Sequence, residues 1–333
     1  MREIIVQKNE QGQRLDKYLR KYFEQAPSSF LYKMLRKKNI TVNEKKATPE
    51  QMIQLGDKIC LYLAEDTIEK FRGNVQKVVQ ESMVEYYQAY KQYKNHIAVI
   101  YEDEQILILN KPAGILSQKA KEGDLTCNEY AIGYLLQKGN IAENELQTFR
   151  PSICNRLDRN TSGLLLVGVS LSGSQILAQF IRERSIKKYY VCVVHGCVRE
   201  AAHIRGYLSK NSATNQVKVT QEPHGAKGEE AKEIHTSYVP LEIGKNRTLL
   251  EVDLITGKTH QIRAHLASIG HGIVGDCKYG NKNVERIMKA KQEHHQLLHA
   301  YRLEFPQDTR LGTLSEQKIS ISIPSRYLEA VRE

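Results

Sequence analysis

A charged turn that runs straight into an apolar strand constrains this chain more than any other feature. The stretch is Asn155-Arg156-Leu157-Asp158-Arg159-Asn160-Thr161-Ser162-Gly163, with Leu164-Leu165-Leu166-Val167 directly after it. A short aliphatic run bounded by turn residues reads as a strand. The one carboxylate, Asp158, is thereby set between two arginines against a rigid support. An acid so placed suits chemistry on an anionic polymer.

The overall charge agrees with such a partner. The 333 residues carry 49 Lys and Arg against 38 Asp and Glu, a net charge of +11. An excess of that size points to nucleic acid before membrane, because no basic amphipathic anchor stands out. No window holds the roughly 18 continuous apolar residues of a membrane span. Residues 1–20 lack the apolar segment of a secretory signal, so a cytoplasmic protein is expected. Cys60, Cys127, Cys154, Cys192, Cys197 and Cys277 form no C-x-x-C pair and no zinc-type spacing with histidine. A reducing compartment and the absence of a structural metal are the expectations.

Along the chain, residues 1–65 read as a small α+β unit. Leu15, Tyr18, Leu19 and Tyr22 share one helical face, and Phe30, Leu31, Met34 and Leu35 another, with Ser28 or Ser29 as the expected cap. Lys33, Arg36, Lys37 and Lys38 put four positive charges into six residues. Ile40-Thr41-Val42-Asn43 and Gly56-Asp57-Lys58-Ile59 then mark strands and turns. Residues 66–95 read as a helical connector in which Val75, Val78, Val79, Met83, Tyr86, Tyr87 and Tyr90 recur at helical spacing. That stripe is expected to pack on a neighbouring domain, with stacking of RNA bases on its tyrosines as the alternative. From Ile97 onward, strands at Ile97–Tyr101, Ile106–Leu109, Leu164–Val169, Tyr189–Val194 and Thr248–Leu254 alternate irregularly with helices such as Ser172–Arg184. Such mixing predicts an α+β domain over 96–333, built on a mixed, largely antiparallel sheet flanked by helices.

Three further segments accompany the opening turn: Asn110-Lys111-Pro112-Ala113-Gly114, then Lys188-Tyr189-Tyr190-Val191-Cys192-Val193-Val194-His195-Gly196, then Thr256-Gly257-Lys258-Thr259-His260-Gln261-Ile262-Arg263-Ala264-His265-Leu266. Strand alternation puts Lys188, Tyr190 and Cys192 on one face. Thr259 is the expected cap of the helix carrying Arg263, and His260 and Arg263 share a side of it. Gly-Lys-Thr does not make a triphosphate-binding loop, because Val252 stands where that loop needs a glycine.

In this order, the four segments resemble the signature motifs of RluA-class pseudouridine synthases of the large-subunit ribosomal RNA type. Gly275-Asp276, Tyr279-Gly280, Leu298-His299-Ala300 and Leu303-Glu304-Phe305-Pro306 extend the match over about residues 97–310. The amino-terminal segment resembles the alpha-L RNA-binding module, with Glu44 where that module commonly has glycine. Asn155 and Asn160 depart from the His and Asp frequent in the family, and segment Asn281–Gln296 looks longer than its minimum. The resemblance implies isomerisation of uridine in structured RNA, most naturally ribosomal RNA, by a monomeric enzyme without cofactor or metal. It implies that Asp158 is the essential carboxylate, Arg263 its ion-pair partner and Tyr190 the side chain stacking on the flipped base. Arg156, Arg159, Lys111, Lys188, His260, Lys33, Arg36, Lys37 and Lys38 are the expected RNA contacts. A synthase acting on transfer RNA, and a non-catalytic RNA-binding or ribosome-assembly protein on the same scaffold, are the competing readings.

Overall fold

The computed structural model describes residues 1–72, 75–211, 216–223, 231–280 and 295–333. Within the expected segment 281–296, residues 281–294 lie outside the described residues, as do the side chains of Val75, Val78 and Val79. The chain forms two compact units. One takes Met1–Leu109, Ser117–Arg156 and Leu165–Ala178, and the other Asn110–Leu116, Leu157–Leu164 and Gln179–Glu333.

The first unit begins with β1 (Arg2–Ile5), α1 (Leu15–Tyr22), α2 (Ser28–Arg36), β2 (Ile40–Val42), β3 (Lys45–Lys46) and β4 (Lys58–Leu61). The strands make a four-stranded antiparallel sheet in the order β1-β4-β2-β3. Leu15, Leu19 and Phe23, with Leu31 and Leu35, close over Ile40, Ile59 and Leu61 in one buried cluster. Each such side chain contributes roughly 1.5–3 kcal/mol by leaving water. The start of α2 differs from expectation. Pro27 occupies the cap position at φ −59° and no side chain caps the helix, so Ser28 already lies within it. Proline's locked φ sets the chain's entry in place of a serine hydroxyl.

The β2–β3 turn accommodates the unusual Glu44. Asn43 and Glu44 both adopt left-handed conformations, at φ 50° and 63°. Two successive positive φ values are what a tight hairpin needs to match strand twist. Asn43 suits the position, since its side chain bonds Asp57 and accepts from the Lys58 N–H. Glu44 holds the same region with no such compensation among the described residues.

Helices α3 (Glu65–Arg72) and α4 (Val75–Tyr93) follow. Met83 and Tyr86 are buried, and Tyr90 stacks on Tyr130 of α5 (Cys127–Lys138) at 6.1 Å. The tyrosine stripe thus packs on protein, with Tyr87 left exposed. Thr126 caps α5, its hydroxyl accepting from the Asn128 N–H and donating to Glu129 three residues on. In the same unit, Asn9 donates to Glu145 at 2.6 Å, Thr148 donates to Glu10, and Arg72 donates to Gln147 at 2.7 Å. Strands β5 (Ala98–Glu102) and β6 (Ile106–Lys111) are joined by a turn in which Asp103 accepts from two backbone N–H groups. β7 (Ser152–Ile153) pairs with the end of β8 (Ser162–Gly168), and α6 (Leu171–Glu183) follows.

The second unit is dominated by β9 (Lys187–His195), β10 (Ala202–Asn211), β11 (Gln216–Thr220), β12 (Lys232–Ile243), β13 (Arg247–Asp253) and β14 (Leu298–Glu304). Their order is β11-β10-β12-β13-β9-β14, with every pair antiparallel. β15 (Lys318–Ser320) adds antiparallel to β14, whereas the start of β8 runs parallel to β14, His299 facing Ser162. The sheet is therefore mixed and largely antiparallel. One face of β9 and β13, Val191, Val193 and Leu249, packs under Tyr327, Ala330 and Val331 of α8 (Ser325–Arg332). Helix α7 (Gln261–Ser268) sets Ala264 against Leu208, Val217 and Ile234. Gly163 is the residue that lets β8 and β14 meet. A Cβ there would lie 2.2 Å from the Ala300 carbonyl oxygen, and its φ is +116°.

Glu44→Gly is expected to stabilise the protein by about 0.5–1 kcal/mol, relief of left-handed strain outweighing glycine's added freedom when unfolded; a lower melting temperature would contradict this. Two buried histidines add a pH dependence. Burial pushes His265 and His299 down to about 4 from 6.5; Arg326 adds to this at His299, while a backbone hydrogen bond opposes it in each case. The unfolded chain then binds more protons than the folded one between those values. Their contribution is complete above pH 6.5 and is lost as pH falls toward 4. Thermal melts should show stability dropping over that window, with a shallower slope in His299→Asn.

Candidate active site

The turn after Arg156 places Asp158 with its side chain 27% exposed. The Asp158 carbonyl accepts from the Thr161 N–H at 3.0 Å, which closes the turn before β8. Lys111, at the end of β6, supports this turn from beneath. Its ammonium donates to the carbonyls of Pro112, Ile115 and Arg159 at 3.0, 2.7 and 2.9 Å, and it has no exposed surface. The Gly114 N–H also donates to the Arg159 carbonyl. Lys111 was expected to touch RNA, and the structure corrects that. A lysine wholly enclosed by backbone carbonyls cannot reach a phosphate, and instead it clamps two turns together.

Helix α7 brings Arg263 to Asp158 across 105 residues of sequence. Nη1 donates to Asp158 Oδ2 at 2.8 Å, while Nε and Nη2 donate to the two oxygens of Asp276 at 2.7 and 2.8 Å. The Arg263 side chain is 9% exposed and that of Asp276 is fully covered. Burial opposes both charges, yet each is stabilised by the other. The Asp276 carboxyl is held below its ordinary value by Arg263 and by the N–H groups of Lys278 and Tyr279. The Arg263 pKa is raised by Asp276 first and then by Asp158. The fork geometry of guanidinium suits this double grip, which a lysine's point charge would not reproduce. Among the described residues, Asp158 Oδ1 accepts no hydrogen bond.

Tyr190 lies on β9 between Val252 of β13 and Ala300 of β14, and is buried. Burial pushes its phenol above the ordinary tyrosine range, and the charge of Asp158 adds to the effect. The ring therefore stays neutral at physiological pH.

His260 sits closer to the acid than an RNA-gripping residue on the surface would. It precedes α7 at φ 54°, ψ 18°, with no side-chain cap, so Thr259 does not cap the helix as expected. Its Nε2 lies 3.8 Å from Asp158 Oδ2, and its Nδ1 is hydrogen-bonded to the Tyr279 hydroxyl at 2.9 Å. Gln261 locks the loop in front of the helix. Its amide oxygen accepts from the Lys258 N–H and the Thr256 hydroxyl, and its NH2 donates to the His235 carbonyl and to Thr236. Reasoning from sequence assigned no role to Gln261, Asp276 or Tyr279. The Gly275-Asp276 pair and Tyr279 stood in the quoted motifs, but no spacing rule connects them to Arg263.

The remaining expected contacts divide by exposure. Arg156, Arg159, Lys33, Arg36, Lys37 and Lys38 are exposed. Lys33 and Arg36 occupy the last turn of α2, where positive charge is favourable. Lys188 is half-buried. Burial lowers its pKa, helped by Arg184 and opposed by Asp253. Asn155, the departure from histidine, accepts from the Leu166 N–H at 2.6 Å and so pins its own segment to β8. Among the described residues there is no cluster of three or more metal-ligating side chains, and no helix is long and apolar enough to cross a membrane.

The profile of the family described as RNA pseudouridylate synthase covers residues 105–268. The ribosomal large subunit pseudouridine synthase C of Escherichia coli K12 is 31% identical over 91% of this chain and 88% of its own length. The protein of the same name from Buchnera aphidicola is 30% identical over 98% and 94%. Among solved structures, human RNA pseudouridylate synthase domain containing 4 aligns over 75% of this chain and 95% of its own, with a TM-score of 0.57 at 18% identity, and so shares the fold. With a relative this similar over nearly its whole length, and with the acid and arginine of the motifs paired at one turn, the chain belongs to the RluA class of RNA pseudouridine synthases.

Proposed function

We propose that this enzyme isomerises uridine in large-subunit ribosomal RNA, with Asp158 as the essential carboxylate. The observation that carries the reading is an acid with one open oxygen, held on the other by a buried arginine that a second buried acid fixes in place. The curated relatives named for the large ribosomal subunit support the choice of RNA. Residues 1–65 serve as an RNA-binding module, 66–95 as a connector and 96–333 as the catalytic domain. The protein acts as a monomer in the cytoplasm.

The reaction breaks the bond between the ribose C1′ and the base N1, turns the base, and joins C1′ to C5; C5 gives up its proton and N1 takes one up, so the product is an isomer of the substrate. Inside folded RNA the uridine must first leave the stack, at a cost of about a few kcal/mol. Phosphate contacts by Arg156, Arg159, Lys188 and the basic end of α2 offset that cost. The flipped base stacks on Tyr190, whose neutral phenol offers an uncharged face. Asp158 Oδ1 is the atom presented to the nucleotide, as nucleophile or base, while Arg263 keeps the carboxylate aimed.

Asp158→Ala is expected to abolish pseudouridine formation while RNA binding is largely kept. Persistent turnover would sink the assignment. Mapping pseudouridine in cells with and without the gene should show loss from large-subunit ribosomal RNA, whereas loss confined to transfer RNA would favour the other substrate. Asp276→Asn should lower folding stability by about 3–5 kcal/mol, because it leaves the buried Arg263 cation short of its main partner; denaturant unfolding measures this directly.

A further inference from the structure

Tyr279 follows Asp276 in the chain, and its hydroxyl is engaged from two sides. The Val217 N–H of β11 donates to it at 3.0 Å, and His260 Nδ1 lies 2.9 Å away. The two rings meet at a steep angle, 64°, with centroids 5.6 Å apart. His260 itself holds a left-handed backbone, a conformation that costs energy for a non-glycine residue. That backbone turns the far ring nitrogen, Nε2, toward Asp158 Oδ2.

A neutral imidazole has one proton to place. On Nε2 it is attracted by the carboxylate, whereas a lone pair there would be repelled. Tyr279 favours the same choice from the opposite end. A backbone N–H can only donate, so the phenol oxygen accepts from Val217 and its own proton is available to Nδ1. Burial lowers the His260 pKa and the charges of Arg263 and Lys278 reinforce this against Asp158, which keeps the ring neutral.

We infer that Tyr279 is a positioning residue for the isomerisation, acting through His260 to keep an N–H donor facing Asp158 Oδ2. The inference rests on Asp158 being the catalytic carboxylate. With Arg263 and His260 both directed at Oδ2, the acid is steered from two directions and Oδ1 is left to the substrate. The 3.8 Å gap is longer than a hydrogen bond, and a small movement on RNA binding closes it. Tyr279 also joins β11 to His260, so a hydrogen-bonded chain runs from that strand to the imidazole that faces Asp158.

The test uses the full-length protein with histidine labelled by nitrogen-15, and unmodified ribosomal RNA as substrate in single-turnover assays. Wild type is expected to show His260 as the Nε2–H tautomer. Tyr279→Phe keeps the ring packing but should convert His260 to a tautomer mixture and slow turnover by roughly tenfold to a hundredfold, with RNA affinity unchanged and the melting temperature lowered by only a few degrees as the Val217 N–H loses its acceptor. The double variant Tyr279→Phe/His260→Asn should be no slower than His260→Asn alone, since both act on one link. An Nδ1–H tautomer in wild type, a wild-type rate in Tyr279→Phe, or losses that multiply in the double variant would overturn the inference. Asp158→Ala run in parallel separates the two readings. If that variant kept turnover, the role of the acid would fall, and the tautomer would still decide whether Tyr279 governs His260.

Discussion

Arg263 is a cation placed where water cannot solvate it, and much of the second unit is organised around making that tolerable. A buried charge without a partner is strongly destabilising, and Asp276 removes the problem with a two-point bond. Asp276 is in turn held by backbone N–H groups of the residues after it. The third contact of the guanidinium, to Asp158, is therefore made by a group that has no freedom left to wander. A partly exposed carboxylate gains orientation from such a partner without being drawn fully out of solvent.

The turn carrying Asp158 is fixed from its other side by contacts to the backbone. Lys111 binds three carbonyls, and Gly163 allows the backbone of β14 to pass where a side chain would clash. Ser162 adds a hydrogen bond to His299 at the same crossing. The position of the acid thus depends on residues that never approach the substrate. Precision of this kind requires rigid neighbours, because small displacements of a reacting group carry large losses in rate.

Much of this was legible before any coordinates. The strands at 106–109, 164–169, 189–194 and 248–254 lie within a residue or two of those observed, since apolar runs bounded by turn residues have few alternatives. Strands β10, β11 and β12 were not predicted. Their charged and histidine-containing alternation, as in Lys232-Glu233-Ile234-His235-Thr236, offers little apolar period to read. Thr259 looked like a helix cap because its type is favoured there, but the loop bonds of Gln261 start the helix one residue later. Lys111 and His260 looked like surface groups because charge and polarity are usually exposed, and only packing reveals that carbonyls enclose the one and that Asp158 and Tyr279 flank the other.

The sequence by itself determined the class of enzyme and pointed to the pairing of Asp158 with Arg263 that the fold makes. Motif order and residue type carry chemistry, and chemistry restricts which side chains serve. The tertiary structure alone decided that Asp276 holds Arg263, that Lys111 is a clamp, and that Tyr279 reaches Asp158 through His260. Those links join residues 13, 48 and 19 positions apart. Spacing along a chain says nothing about such pairs until the fold brings their atoms within bonding distance.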